Sequence, residues 1–150
     1  MLAVFSLPDG TAVTMHRTFL GIDGKLDIKS PKKIMPTLKK MTGGSVRLFP
    51  LGDDGAIAIC EGIDTAIAVH EDMNIPVWAA LSSTLLEKFV PPKEVKRLVV
   101  CGDNDRNFAG QKAAYVLANR IAVQEKIPVS VCIPERPGTD WLDRHNGGDK

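Results

Sequence analysis

The rhythm of apolar and polar positions changes near residue 55. Before it, "AVFSL" and "TAVTMHRTFL" are runs rich in β-branched and apolar residues, joined by "PDG". Proline, aspartate and glycine together supply the dihedrals of a tight turn, so this segment reads as two strands and a hairpin connection. "GIDGK" reads as a second turn, and the Pro- and Lys-bearing stretch up to "MTGGSVRLFP" as a loop that ends in a short strand. No helical period appears in the first fifty residues.

From residue 56 the pattern alternates. "AIAIC" is a short continuous apolar run, expected of a strand buried on both faces. "GIDTAIAVHEDM" has helical spacing, "IPVWAA" is a second strand, and "SSTLLEKF" is a short helix with Ser82 or Ser83 as its N-cap. "RLVVC" is a third strand. "AGQKAAYVLANRIAVQEK" is a long helix with Ala113, Leu117 and Ile121 on one face. "PVSVCIP" is a fourth strand, followed by "GTDWLDRH". Strands alternating with helices predict an α/β fold, with about four parallel strands flanked by helices. A small N-terminal β-hairpin subdomain precedes it. The expected division is residues 1–50, a β-rich basic segment packing on the core, and residues 51–150, the core itself.

At 150 residues the chain suits one domain with a full core. No apolar run reaches the roughly 20 residues that span a bilayer. The opening "MLAVFSLPDG" has neither the basic region nor the apolar stretch of a secretory signal. It enters a strand directly, as a segment of a longer protein would. Cys60, Cys101 and Cys132 are scattered and form no CxxC pair, which argues against a disulfide framework or a zinc site and for a reduced, cytoplasmic setting. His16, His70 and His145 are equally dispersed, and His70 continues an apolar helical series as a packed histidine would.

The net charge of +1 conceals an asymmetry: residues 1–50 carry eight Lys/Arg against three Asp/Glu, and residues 51–150 carry eleven against fifteen. The basic stretch suits either a phosphate-rich partner or a solvated loop. The acidic residues are placed by the strands. Parallel strands point their carboxyl ends at one sheet edge, where ligands bind. Glu61 follows the first strand, Asp103 and Asp105 the third, and Asp140 and Asp143 come soon after the fourth. Oxygen donors without His or Cys suit a hard cation such as magnesium or manganese. Taken singly, each has a plainer reading. Asp105 could cap the following helix, Gly62 could be a turn, and Thr65 a helix-surface residue. Jointly they point to a metal.

The combination resembles the Toprim domain. Its signature is a glutamate after the first strand of a parallel sheet and a DxD after the third. "ICEGIDTAIAV" is similar to the primase form of the first motif and "DNDRNFAGQKAA" to the second, with Arg106, Asn107 and Phe108 lengthening the link to the "AG". "PGTDWLD" resembles the acidic motif after the fourth strand. Asn107 stands where topoisomerases carry a third aspartate, which favours the primase-like branch. "LPDGTAVTMHRTFL" and "TGGSVRLFP" are similar to the segment that precedes the glutamate motif in plasmid and phage primases or primase-helicases. No zinc-binding module and no Walker-type phosphate loop is present in these residues.

The resemblance implies a magnesium- or manganese-dependent nucleotidyltransferase that makes RNA primers on single-stranded DNA from nucleoside triphosphates, with a replicative helicase part or partner. Asp103 and Asp105 would be metal ligands. Glu61 would be a ligand or the base for the 3′-hydroxyl, and Asp140 or Asp143 would serve a second ion. Arg106 and Lys112 are expected at triphosphate oxygens. Lys32, Lys33, Lys39, Lys40 and Arg47 are expected on nucleic-acid phosphates. The same carboxylates would also serve a metal-dependent nuclease, and a non-catalytic nucleic-acid-binding module would keep the fold without the chemistry.

Overall fold

A computed structural model of the chain describes residues 1–22 and 24–148. The N-terminal part contains β1 (Leu2–Ser6), β2 (Ala12–Thr18), β3 (Leu20–Gly21), β4 (Gly24–Lys25), β5 (Lys32–Ile34) and β6 (Ser45–Arg47). Then come β7 (Ala56–Cys60), α1 (Ile63–Met73), β8 (Val77–Ala79), α2 (Ser83–Glu87), β9 (Arg97–Cys101), α3 (Ala109–Arg120), β10 (Val129–Cys132) and α4 (Trp141–Asp143). Wider π-type turns carry α3 on through Ile121–Glu125 and α4 on through Arg144–Gly148.

The expected α/β core is present. Strands β10, β9, β7 and β8 lie side by side in that order and pair in parallel. The N-terminal strands join the same sheet edge to edge. Strand β6 pairs antiparallel with β8, placing Val46 opposite Ala79, and the sheet continues through β1, β2 and β5. This pairing satisfies the edge of β8, which would otherwise present unbonded N–H and C=O groups. Part of the lysine-rich stretch, read as loop, is the edge strand β5. Its three residues are all exposed, so no hydrophobic alternation marks it.

The sheet separates two apolar layers. Along β7, Ala58 and Cys60 face one side with Ile63, Ala66 and Val69 of α1 and Trp141 of α4. Ile57 and Ile59 face the other with Leu86 of α2 and Ala113, Ala114 and Leu117 of α3. A strand clothed on both faces has no polar side, which is why β7 is continuously apolar. Phe5, Val13 and Val46 extend the first layer under the N-terminal strands. Ser82 caps α2, its hydroxyl accepting from the Leu85 N–H at 3.2 Å. His70 stacks on Phe49 at 3.6 Å, and its Nδ1 meets the Ile75 carbonyl at 2.6 Å. Thr65 is buried rather than on the helix surface, and a Cβ at Gly62 would lie 3.2 Å from its hydroxyl oxygen.

Candidate metal centre

Cys60 pairs with Cys101 across β7 and β9, and Cys101 with Cys132 across β9 and β10. The three cysteines therefore lie abreast, all free, and mark a row at which three strands end together. The residues that follow emerge at one edge. Chain order also reverses here, since β8 and β9 lie on opposite sides of β7. Such a switch point opens a crevice beyond the strand ends. Glu61 and Asp103 stand at it.

Asp103 is the focus of the acidic field. Burial comes first, and the charges of Asp140, Glu61, Asp105 and Asp143 add to it, pushing its carboxyl up to about 7. Glu61 is also raised, by burial and then by Asp105, against a hydrogen bond from the Ser83 backbone. One oxygen of Asp103, Oδ1, is buried without a hydrogen-bond partner. A buried carboxylate oxygen is rarely left so, because the loss of hydration is uncompensated. Among the described residues no three acidic, His or Cys side chains converge closely enough to complete a metal shell by themselves. The acidic field suits magnesium, which usually takes one or two carboxylates and keeps water or phosphate in its other positions. An orphaned oxygen in an all-oxygen acidic crevice fits that ion.

The loop that presents Asp103 is tightly built. Gly110 brings the first turn of α3 against it: a Cβ there would stand 2.6 Å from the Asp103 carbonyl oxygen. Gly102 approaches from the strand side, where a Cβ would stand 2.8 Å from that of Ala114. The indole of buried Trp141 donates to the Gly102 carbonyl at 3.1 Å. Asn104, between the two aspartates, is a cross-link. Its Nδ2 donates to the carbonyls of Pro134 at 2.7 Å and Glu135 at 3.2 Å, and its Oδ1 accepts from Gln111 at 2.7 Å. Its backbone also forms an isolated bridge with Thr139. The DxD loop is thereby tied to the loop carrying Asp140.

Two acidic sites do structural work as well. Asp105 Oδ2 accepts the Gly110 N–H at 2.8 Å, holding the entry to α3. Asp140 and Asp143 form a reciprocal capping box at α4: Asp140 Oδ1 accepts the Asp143 N–H at 2.8 Å, and Asp143 Oδ2 accepts the Asp140 N–H at 3.2 Å. Both therefore cap the helix, each through one carboxylate oxygen.

The basic residues are dispersed. Arg106 lines a cleft of about 410 Å³ with Arg136, Gly138, Thr139 and Asp143. Lys112 pairs instead with Glu87 on α2, at 3.3 Å. Lys32 lies 2.7 Å from Asp64 on the first turn of α1, and Lys25 reaches the same oxygen at 2.6 Å. Lys33, Lys39 and Lys40 are exposed. Arg47 donates to the carbonyls of Leu7 and Pro8 and covers the Trp78 ring. It lines a pocket with Leu51, Pro92 and Glu94, which precede β7 and β9, so Arg47 belongs to the end of the sheet opposite the carboxylates. Sequence reasoning missed the roles of Asn104, Gln111, Trp141, Lys25 and Asp64. For Asp64 the only local signal was an acidic residue in a first helical turn.

The Toprim domain family matches residues 56–148, and the chain belongs to that family. No curated protein matches it. Among solved structures, a DNA primase domain from Pseudomonas aeruginosa is similar with a TM-score of 0.61 at 20% identity, over 99% of this chain and 47% of that one. The RNA polymerase domain of Mycobacterium tuberculosis primase DnaG gives 0.56 at 18% identity, over 97% and 50%. A DnaG primase catalytic domain bound to single-stranded DNA gives 0.60 at 14% identity, over 97% and 47%. The chain spans about half the length of these structures, and what it shares with them is the fold.

Proposed function

We propose that this chain is the Toprim part of a DNA primase of the plasmid or phage kind, a nucleotidyltransferase that uses magnesium or manganese to join nucleoside triphosphates into RNA on a single-stranded DNA template. The observation that carries this reading is the buried, unpartnered Asp103 Oδ1 at the crevice between β7 and β9, inside the field of Glu61, Asp105, Asp140 and Asp143. The likeness to primase catalytic domains, one of them bound to single-stranded DNA, supports it.

Asp103 would hold the ion directly, and Glu61 and Asp105 directly or through its bound water. When bound, it would supply Lewis-acid stabilisation of charge on the triphosphate. Glu61 would be a further ligand or, in its place, the base that accepts the proton of an attacking 3′-hydroxyl. Asp105 would ligate through Oδ1 while Oδ2 holds α3 in place. The oxygens of Asp140 and Asp143 outside the capping box would serve a second ion. Arg106, in the cleft beside Asp143, would meet phosphate oxygens. Lys33, Lys39 and Lys40 would follow the template backbone, and a helicase part or partner would deliver that template.

The test is to incubate the purified protein with single-stranded DNA, labelled nucleoside triphosphates and manganese. Short labelled RNA is expected, with Asp103→Asn lowering its yield at least about a hundredfold. Cut DNA with no primer would make the protein a nuclease. DNA binding with no metal-dependent product, unaffected by the substitution, would make it a binding module.

A further inference from the structure

Four non-glycine residues among those described have a left-handed backbone: Asn74, Leu81, Phe108 and Lys126. Asn74 and Lys126 follow helical segments, where such a residue commonly ends the turn. Leu81 is packed against the core. Phe108, at φ 62°, precedes a helix, and its side chain has no such packing. Of the five phenylalanines it alone is exposed, to 70%.

The backbone around it is fully engaged. The Phe108 N–H donates to the Asp105 carbonyl at 3.0 Å, and its carbonyl accepts the Lys112 N–H at 2.9 Å. Asn107 Oδ1 accepts the Ala109 N–H at 3.1 Å, and Gln111 Nε2 donates to the Asp105 carbonyl at 2.9 Å. This network holds the strained conformation, which glycine or asparagine would adopt more easily. An aromatic ring here costs backbone strain and gains no core packing. Strain held in this way concentrates at functional sites.

We propose that the Phe108 ring is the stacking platform for the nucleobase of a nucleoside triphosphate whose phosphates lie at the carboxylate edge. The inference rests on the nucleotidyltransferase reading and deepens it. Phe108 is three residues from Asp105, in the segment that leaves the acidic crevice. Arg106, two residues away, lines a cleft together with Arg136 and Asp143. A ring face accepts any base, so the platform confers no base preference. A single base fits better than a strand. The next exposed aromatic on α3, Tyr115, is seven residues on, about 10 Å by helix rise.

The experiment compares wild type, Phe108→Gly and Phe108→Trp by equilibrium binding of ATP, of inorganic tripolyphosphate and of a single-stranded oligonucleotide in manganese, with melting temperatures alongside. Phe108→Gly is expected to weaken ATP about tenfold and leave tripolyphosphate unchanged. Its melting temperature should hold or rise by about 2 °C, because glycine relieves the strain. Phe108→Trp should retain ATP binding. Unchanged ATP affinity in Phe108→Gly overturns the platform while leaving the enzymatic reading intact. So does a fall in melting temperature with equal loss of both ligands, which would mark a structural residue. Loss confined to a single-stranded oligonucleotide would assign the ring to the template and overturn it too. Wild type that binds neither ATP nor tripolyphosphate overturns the enzymatic reading itself, and the platform with it.

Discussion

Asp103 holds its proton more tightly in the folded chain than an ordinary carboxyl does, at about 7 against 3.8. A raised folded-state pKa favours folding at low pH, and that contribution is lost as pH rises from about 4 through about 7. The metal-free protein should therefore lose stability across this range, as thermal melts in a pH series would show. Asp103→Asn removes the charge, and at pH 8 should be more stable than wild type by about 1–2 kcal/mol. Magnesium should raise the wild-type melting temperature at pH 8 and leave that of Asp103→Asn nearly unchanged. At the same scale, Asn104→Ala deletes the side-chain bonds to Pro134, Glu135 and Gln111, leaving their groups short of partners. Chemical denaturation should report a loss of about 1–3 kcal/mol. The sequence pointed to Asp103 as a ligand, because a charge pair at a strand end is visible in one dimension. It hid Asn104, whose partners lie some thirty residues away.

Among the elements, α3 and its entry decide the geometry of the site. Glycine in a helix is ordinarily worse than alanine by about 1 kcal/mol, so Gly110→Ala would be expected to stabilise α3. Here the sign reverses. A Cβ at 110 would lie 2.6 Å from the Asp103 carbonyl oxygen, a backbone atom that cannot rotate away. The helix or the DxD loop must move, at a cost of about 1–3 kcal/mol, and magnesium-dependent stabilisation should weaken with it. Denaturation with and without magnesium measures both. Helices α1 and α3 were legible because each buries one stripe, as Ala113, Leu117 and Ile121 do. Strand β5 was not, since all its residues are exposed and only pairing with β2 defines it.

At the scale of the whole molecule, the basic first third and the acidic remainder meet at Asp64. Burial alone would raise this carboxyl, but Lys25 and Lys32 outweigh it and leave it below the usual range. Lys25 is also within electrostatic reach of Asp140. The bridge thus fastens the β4–β5 region beside the acidic crevice. Asp64→Asn should speed amide exchange across residues 24–34 while β7 and β9 stay protected, which exchange mass spectrometry resolves. High salt should act in the same direction on wild type, because these pairs are partly exposed and screened.

Local pattern alone carried the alternation of strands and helices, the burial of β7 on both faces and the position of Glu61 and Asp103 just after strand ends. These are consequences of local period and of chain direction, and a linear pattern carries both. Long-range pairing, not local pattern, makes the N-terminal strands extend the same sheet. The tertiary structure also decided that Asp105, Asp140 and Asp143 spend oxygens on helix ends, and that Arg47 lies at the far end while Lys25 and Lys32 lie near. Those facts depend on which edges, backbones and charges meet across long separations, and no local pattern encodes such meetings.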